Sequence, residues 1–144
     1  MPRRLPTLLL VVALAACGGS DASGPSGVAA RDIIGLWDIA YSRVYLQPGD
    51  VNVVQTCCDG HAASFEFFAN GTWEFALAPG FTNNGSWVLE GDSLYTTVGN
   101  PNDVSASAVE KVDGGLLVSS ASAWDFDEDG VAEAAILRTL LVRR

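Results

Sequence analysis

The chain has 144 residues, with 17 acidic against 8 basic side chains and a formal net charge of −9. An acidic balance of this size argues against nucleic acid and against anionic membrane surfaces as partners. The length and the absence of a fixed-period repeat predict one folded domain with a single core.

The first residues have the parts of an export signal. Arg3 and Arg4 give a basic start, an uncharged apolar run covers residues 8–16, and the run ends at Cys17. This run is too short to cross a bilayer as a stable helix, which needs roughly 20 apolar residues. Residues 1–16 are therefore predicted to be a secretory signal peptide.

The end of this signal resembles the lipobox of bacterial lipoproteins. Leu14-Ala15-Ala16-Cys17 places an aliphatic residue and two small residues before the cysteine. The resemblance implies that the Cys17 thiol carries a lipid with palmitate-type chains, and that cleavage makes Cys17 the N-terminus. The lipid bilayer of the cell envelope is then a partner through this anchor. Gly18 stands where an aspartate often retains lipoproteins in the inner membrane, which favours the outer membrane. The alternative is an ordinary cleaved signal with an incidental cysteine.

The chain changes character after the anchor. Residues 18–30 are Gly, Ser, Ala, Val and Pro with one Asp, too little apolar surface to offset the entropy of ordering. We therefore expect a flexible tether over 17–31 and a folded domain over 32–144. The domain alternates apolar and polar residues with the period of strands. Strands are predicted at about 35–46, 51–57, 63–69, 72–78, 85–90, 93–98, 104–112, 115–124 and 133–143.

Short turns between these strands predict an all-β antiparallel fold. Asn70-Gly71 is typical of a type I′ hairpin turn, and Asn84-Gly85, Gly91-Asp92 and Asp113-Gly114 are further turn signals. Sequential antiparallel strands in this number close on themselves or split into two sheets. An up-and-down barrel of about eight strands is the first expectation and a β-sandwich the second. The segment 131–141 also has a composition suited to a helix, but it follows a turn and is predicted to be the last strand.

Several of these residues resemble the lipocalin-like barrels of small bacterial lipoproteins. Gly35-Leu36-Trp37 is similar to the Gly-x-Trp that opens their first strand, and the hairpins over 68–73 and 85–94 resemble their middle strands. The resemblance implies that an arginine of the last strand packs over Trp37 and closes the barrel, for which Arg138 is the matching residue. It also implies a small apolar ligand inside the barrel.

An acidic turn before the last strand has the spacing of a calcium loop. Asp125, Asp127 and Asp129 alternate before a glycine, as in Asp-x-Asp-x-Asp-Gly loops. Glu133 and the carbonyl of Val131 could complete the oxygen ligands. The bidentate glutamate of an EF-hand is absent at its usual position, and the flanks are predicted strands. A Ca²⁺ site and a solvated acidic turn therefore both remain open.

Cys57 and Cys58 are the two thiols beyond the anchor. Adjacent Cα atoms lie about 3.8 Å apart, below the usual disulfide range, so a vicinal disulfide needs a turn at this point. A vicinal disulfide, free thiols and an intermolecular bond are the alternatives. His61 is the sole histidine of the chain, and a metal or redox site built from these three residues lacks further partners.

No arrangement of nucleophile and base predicts catalysis, so we expect a protein that is not an enzyme. Trp73, Phe75, Trp87 and Tyr95 are the residues expected to line a ligand cavity, with ordinary core packing as the alternative. Two functions follow. The first is an envelope lipoprotein that binds a small apolar ligand in its barrel. The second is a structural or interaction module with a filled barrel that contacts another envelope protein.

Overall fold

The structure is a computed structural model that describes residues 27–46, 53–57 and 62–144, with the backbone alone described for 53–57. One short helix precedes nine strands. The elements are α1 (Ala30–Ile33), β1 (Gly35–Tyr45), β2 (Val53–Cys57), β3 (Ala63–Phe67), β4 (Thr72–Leu77), β5 (Phe81–Glu90), β6 (Ser93–Val98), β7 (Asn100–Val112), β8 (Gly115–Trp124) and β9 (Glu133–Arg143). In the described part of the chain, no helix is long and apolar enough to span a bilayer.

The strands form one closed antiparallel barrel. From β3 to β9 each strand pairs with the next along the chain, and β9 pairs with β1. On its other side β1 pairs with two strands in turn: Gly35–Asp38 with β3 and Ser42–Tyr45 with β2. Because β2 and β3 share one position in the wall, nine strands make a barrel of eight. The predicted up-and-down barrel is confirmed, and residues 133–143 are a strand and not a helix.

The hairpin between β3 and β4 has a different turn from the predicted one. The amide of Gly71 donates to the carbonyl of Phe68 (3.1 Å), and the amide of Phe68 donates to the carbonyl of Thr72 (2.8 Å). Gly71 has a φ of +80°, whereas Asn70 does not have a positive φ. A type I′ turn requires positive φ at both positions, so this is a three-residue loop in which Gly71 takes the left-handed position. The hairpin prediction is confirmed and the turn type was wrong.

Asn84-Gly85 is inside a strand and not in a turn. The strand β5 begins at Phe81, four residues earlier than expected, and Gly85 pairs with Trp73 on one side and Val98 on the other. A Cβ atom at Gly85 would lie 1.7 Å from the carbonyl oxygen of Thr97 and 2.9 Å from the Trp73 indole nitrogen. The glycine is therefore required by the close approach of two neighbours and not by a change of chain direction.

The two ends of the barrel follow from the strand directions. At one end lie α1, the start of β1 and the hairpin turns 68–71, 91–92 and 113–114. We call this the closed end, because α1 and the buried residues Val28 and Ile33 cover it. Among the described residues, the opposite end, which we call the open end, carries the connections 78–80 and 125–132.

The main core fills the closed end. Large apolar side chains from α1 and from most strands pack together there and are almost fully buried. Its members are Val28, Ile33, Trp37, Phe67, Trp73, Trp87, Leu94, Val109, Leu116 and Leu141. Barrels of about eight strands are either filled by side chains or hold one small ligand. Here the packing at the closed end leaves the remainder of the interior for the site described next.

Candidate functional site: a cavity in the barrel interior

The barrel interior contains a cavity of about 630 Å³ next to the main core. This volume lies within the range of roughly 300–1,000 Å³ that small-molecule sites occupy. The cavity is lined by Phe65, Phe67, Trp73, Leu94, Thr96, Val98, Ser105, Ala106, Ser107, Val118, Ser120, Ala121, Leu137, Thr139 and Leu141.

The two sides of the cavity differ in chemistry. On β3 and β4 the wall is aromatic: the rings of Phe65 and Phe67 stack with centroids 5.8 Å apart, and Phe65 lies 5.8 Å from Trp73. The wall from β6 to β9 carries short hydroxyl side chains at inward positions. No lining residue among those described is charged. The cavity therefore suits a neutral molecule with an extended apolar surface and a few polar groups.

The hydroxyl groups of this wall are already partly paired. Ser107 and Ser120 share a hydrogen bond of 2.7 Å between their Oγ atoms across β7 and β8. Ser42 and Thr139 share one of 3.0 Å across β1 and β9. Each hydroxyl has one donor and two acceptor positions, so these pairs still offer acceptor capacity to a ligand. They also keep the polar atoms satisfied without a ligand.

Of the four residues predicted to line the site, only Trp73 does so among the described lining residues. Trp87 is buried in the core, where it meets Phe67 edge-on at 5.8 Å. The ring of Phe75 lies 5.0 Å from that of Phe65 on the same face of the sheet, but Phe75 is not among the described lining residues. Tyr95 lies between two inward residues of β6, so it faces outward. Phe75, Trp87 and Tyr95 are therefore outside the described lining, since aromatic character alone does not indicate how deep a side chain lies, and their contact with a ligand stays a prediction.

The hydroxyl residues of the cavity wall were not predicted from the sequence. Thr96, Ser107, Ser120 and Thr139 occupy inward positions of their strands, in alternation with outward residues. A core strand normally places large apolar residues there. Short polar residues at several inward positions of neighbouring strands were thus the available signal, and it required the register between strands to be recognised.

The arginine that packs over Trp37 is Arg143 and not Arg138. The guanidinium carbon of Arg143 lies 4.2 Å from the centroid of the Trp37 ring, whereas that of Arg138 lies 5.2 Å from Tyr45. Antiparallel pairing explains the difference, because the start of β1 lies beside the end of β9. Trp37 pairs with Arg143, and Arg138 pairs with Arg43 further along. The predicted interaction exists, but the residue assigned to it was wrong.

Arg143 also ties the helix to the barrel. Its two terminal nitrogens donate to the carbonyls of Ile34 (3.0 Å) and Asp32 (2.9 Å). The indole nitrogen of Trp37 donates to the carbonyl of Ile33 at 2.7 Å. Gly35 has a φ of +132°, and a Cβ atom there would lie 2.4 Å from the Arg143 guanidinium. The Gly-x-Trp pattern thus has a local cause: the glycine leaves room for the arginine that covers the tryptophan.

Two ion pairs support the same end. Lys111 lies 2.7 Å from Asp32 and, together with the amide of Ala29, holds the pKa of that carboxyl below its usual value. Arg144 pairs with Asp38, which raises the pKa of the arginine. Both pairs are partly exposed, and ion pairs of this kind contribute little to the free energy of folding.

The acidic loop lies at the open end of the barrel. Asp125, Asp127, Asp129 and Glu133 each place one carboxylate oxygen within 4.8 Å of those of the others. This convergence is what the alternating spacing predicted. Val131 donates its amide to Asp129 Oδ1 at 2.8 Å, and the role predicted for its carbonyl stays a prediction.

The same carboxylates accept hydrogen bonds from the loop backbone. Asp125 accepts from the amides of Asp129 (3.1 Å) and Gly130 (2.8 Å), and Glu133 accepts from the amide of Phe126 (3.0 Å). These bonds fix the side chains whether or not a cation is bound. The geometry is compatible with both readings of the sequence, so calcium binding stays a prediction.

The remaining predicted sites are outside the described side chains. Cys17, Cys58 and His61 are not among the described residues, and Cys57 is described only as the last backbone position of β2. The anchor and the redox state of the cysteines therefore stay predictions.

Compared with family models, curated proteins and solved structures, the chain has no match.

Proposed function

We propose that this chain is a lipid-anchored protein of the bacterial cell envelope, on the outer membrane, whose lipocalin-like barrel binds one small, neutral, largely apolar molecule. The observation that supports ligand binding is the cavity of about 630 Å³, with one aromatic wall and one wall of hydroxyl side chains. A filled barrel, which the structural or interaction alternative requires, would leave no such volume.

The lining chemistry supports the class of ligand. Phe65 and Trp73 line one side of the cavity with aromatic rings, and contact with such rings suits a planar or ring-containing molecule. The paired hydroxyls of Ser107 and Ser120 lie across the interior and suit a hydroxyl or carbonyl group. A charged ligand would lose its hydration with no described counter-charge in the lining, at a cost of several kcal/mol.

The exposed apolar residues support exchange of the ligand at the open end. Five of the six large hydrophobic side chains that are exposed in the described chain lie at this end, namely Phe81, Val98, Val104, Trp124 and Val131. Val98 also lines the cavity. An apolar border around a cavity mouth lowers the cost of passing an apolar molecule between the barrel and a second apolar surface.

The ligand is tested on full-length protein purified from its own membranes. Native mass spectrometry is expected to show a bound species that is released by organic solvent. The variant Ser107→Phe fills the cavity and is expected to lose that species. Ala108→Phe is the matched control, because Ala108 is exposed on the outer side of the same strand.

The outcome separates the two functions. If Ser107→Phe retains the bound species as fully as Ala108→Phe does, binding in the cavity is contradicted. If the wild-type protein is purified without a ligand and also fails to take up neutral apolar fluorophores, the structural or interaction function is supported instead. The anchor is tested by Cys17→Ser, which is expected to abolish labelling by a fatty-acid analogue. Labelling that persists in this variant would contradict the lipoprotein proposal.

A further inference from the structure

Two arginines lie side by side on the outer wall of the barrel. Arg43 of β1 and Arg138 of β9 are direct register partners in the ladder that closes the barrel. Both point outward, because their neighbours Val44 and Leu137 face the interior, one buried and the other lining the cavity. Their position is independent of the cavity and of the proposed ligand.

Neither arginine has an acidic partner in the described part of the chain. Lys111 and Arg144 both pair with aspartates, and Arg143 donates to two carbonyls. Arg43 and Arg138 instead pack on tyrosines: their guanidinium carbons lie 4.5 Å from the Tyr41 ring and 5.2 Å from the Tyr45 ring. The Nε of Arg138 is buried without an acceptor among the described residues.

This arrangement places two like charges at paired positions of neighbouring strands. Like charges directly opposite each other on paired strands destabilise a sheet. The chain has more acidic than basic residues, so carboxylates to neutralise the pair are abundant, yet the described ones lie elsewhere. Packing on a tyrosine face uses the flat side of a guanidinium and leaves its in-plane N–H groups for an acceptor.

We propose that Arg43 and Arg138 form a binding site for a phosphate-type oxyanion on the outer wall of β1 and β9. Two forks of in-plane donors match a tetrahedral anion with several oxygens better than a single carboxylate, which has two. The combined charge of +2 is balanced by a dianion but only half balanced by a monoanion. The phosphate comes either from solution or from a phospholipid whose headgroup is a phosphomonoester, because a phosphodiester carries only one negative charge.

The outward-facing residues next to the two arginines support a lipid headgroup as the source of the phosphate. Leu140 follows Arg138 on the same outward face, and Leu117 pairs with it on β8. Ile136 precedes Arg138 on that face. An inorganic anion would not contact these side chains, whereas the glycerol and acyl part of a lipid would. The net negative charge of the protein is compatible with this local site, because charge acts on a bound anion mainly within a Debye length of about 8–10 Å.

The test uses the full chain in a neutral maltoside detergent with ¹⁵N-labelled arginine. Inorganic phosphate is titrated at constant ionic strength, and the Nε–Hε signals are followed by nuclear magnetic resonance. The signals of Arg43 and Arg138 are expected to shift saturably, and those of Arg143 and Arg144 to stay. Arg43→Gln and Arg138→Gln are each expected to weaken binding by about tenfold or more, the loss of a charged hydrogen-bonding partner.

Controls keep the proposal open to contradiction. Arg144→Gln removes the same charge from an exposed pair and is expected to bind phosphate as the wild type does. If Arg138→Gln does not fold, Arg43→Lys, which keeps the charge but loses the fork, replaces it and is expected to bind more weakly. No saturable shift with phosphate, or an equal response to acetate, would overturn the site.

A second titration identifies the source. Monomeric short-chain phosphatidic acid is compared with phosphate, and short-chain phosphatidylcholine serves as the zwitterionic control. Phosphatidic acid that binds at least about tenfold more tightly than phosphate supports the site as one for a lipid headgroup, since the apolar neighbours then contribute. Equal or weaker binding supports the site as one for phosphate from solution and contradicts the lipid source.

Discussion

The closed and open ends of the barrel are built from the same strands but differ in where their large side chains lie. At the closed end, Trp37, Trp73 and Trp87 are buried, and each indole nitrogen donates to a backbone carbonyl. Towards the open end, several inward residues of β6 to β9 have short hydroxyl side chains, and large side chains are exposed: Trp124 is 38% exposed, against 3% for Trp37. Large side chains are thus used as packing at one end and as surface at the other.

This contrast indicates how a small barrel can contain an interior cavity and remain stable. A domain of this size has a narrow margin of stability, and an unfilled interior forfeits packing contacts. Concentrating the aromatic packing at one end supplies stability where no ligand is expected. The hydroxyl pairs at the other end satisfy their own polar atoms, so the cavity there need not be filled to avoid unpaired groups.

The largest expected effect comes from removing the central tryptophan of the closed end. Trp37→Ala deletes a buried ring together with its hydrogen bond to Ile33 and its contact with Arg143. We expect a loss of about 3–5 kcal/mol in the free energy of unfolding, measured by urea denaturation. Trp124→Ala is the matched control at the open end, with an expected loss below about 1 kcal/mol. Equal losses for the two variants would break the division between the ends.

The second prediction concerns the arginine that covers the tryptophan. Arg143→Gln removes a cation–π contact and two hydrogen bonds to carbonyls of the α1 segment, and we expect a loss of about 2 kcal/mol. Arg144→Gln breaks an exposed ion pair and should lower the free energy of unfolding clearly less than Arg143→Gln does. Thermal unfolding of both variants measures the difference. A larger effect for Arg144 would show that Arg143 does not hold the closed end together.

At the open end, the third prediction is that calcium stabilises the acidic loop. An incomplete oxygen shell predicts weak binding, with a Kd of about 10⁻⁴–10⁻³ M. At ten times Kd, mass action gives about 1.4 kcal/mol, seen as a higher Tm with calcium than with chelator. Asp127→Asn should abolish this increment, whereas Asp113→Asn, an exposed aspartate in a closed-end turn, should keep it. Identical Tm values for the wild type in calcium and in chelator would leave the solvated turn.

The smallest expected effect is a pH dependence at the closed end. Lys111 and the Ala29 amide lower the pKa of Asp32, so the folded state binds this proton less readily than the unfolded state does. The resulting stability is complete above the ordinary pKa of 3.8 and is lost as the pH falls through the lower folded value. Asp32→Asn should therefore be less stable than wild type at pH 7, by less than about 1 kcal/mol, and the gap should narrow below pH 4. A gap independent of pH, from denaturation at pH 3 to 7, would contradict this assignment.

The alternation of apolar and polar residues accounts for most of the correct fold prediction, because each strand has one face toward the core. The sequence-predicted ends of β6, β8 and β9 coincide with the observed ones. Errors arose where one residue type serves two purposes. Gly85 was interpreted as a turn because glycine favours turns, but here it makes room for the Thr97 carbonyl. The four-residue helix α1 has no periodic signal long enough to detect.

The site was harder to predict than the fold because it depends on register. The acidic loop is local in sequence, and its convergence followed from spacing alone. The cavity, in contrast, joins residues from distant strands, and the wrong assignment of Arg138 arose from ignoring which part of β9 lies beside the start of β1. A fixed antiparallel register would have indicated Arg143 directly.

The shared wall position of β2 and β3 has a consequence for local motion. β3 pairs with β1 and β4, whereas β2 pairs only with β1 among the described residues. One edge of β2 therefore presents amide and carbonyl groups without a ladder partner in the described chain. In hydrogen exchange, the amides of β2 should exchange through local opening, while those shared by β1 and β9 should exchange only with global unfolding. The barrel can then loosen one section of its wall while the rest stays folded.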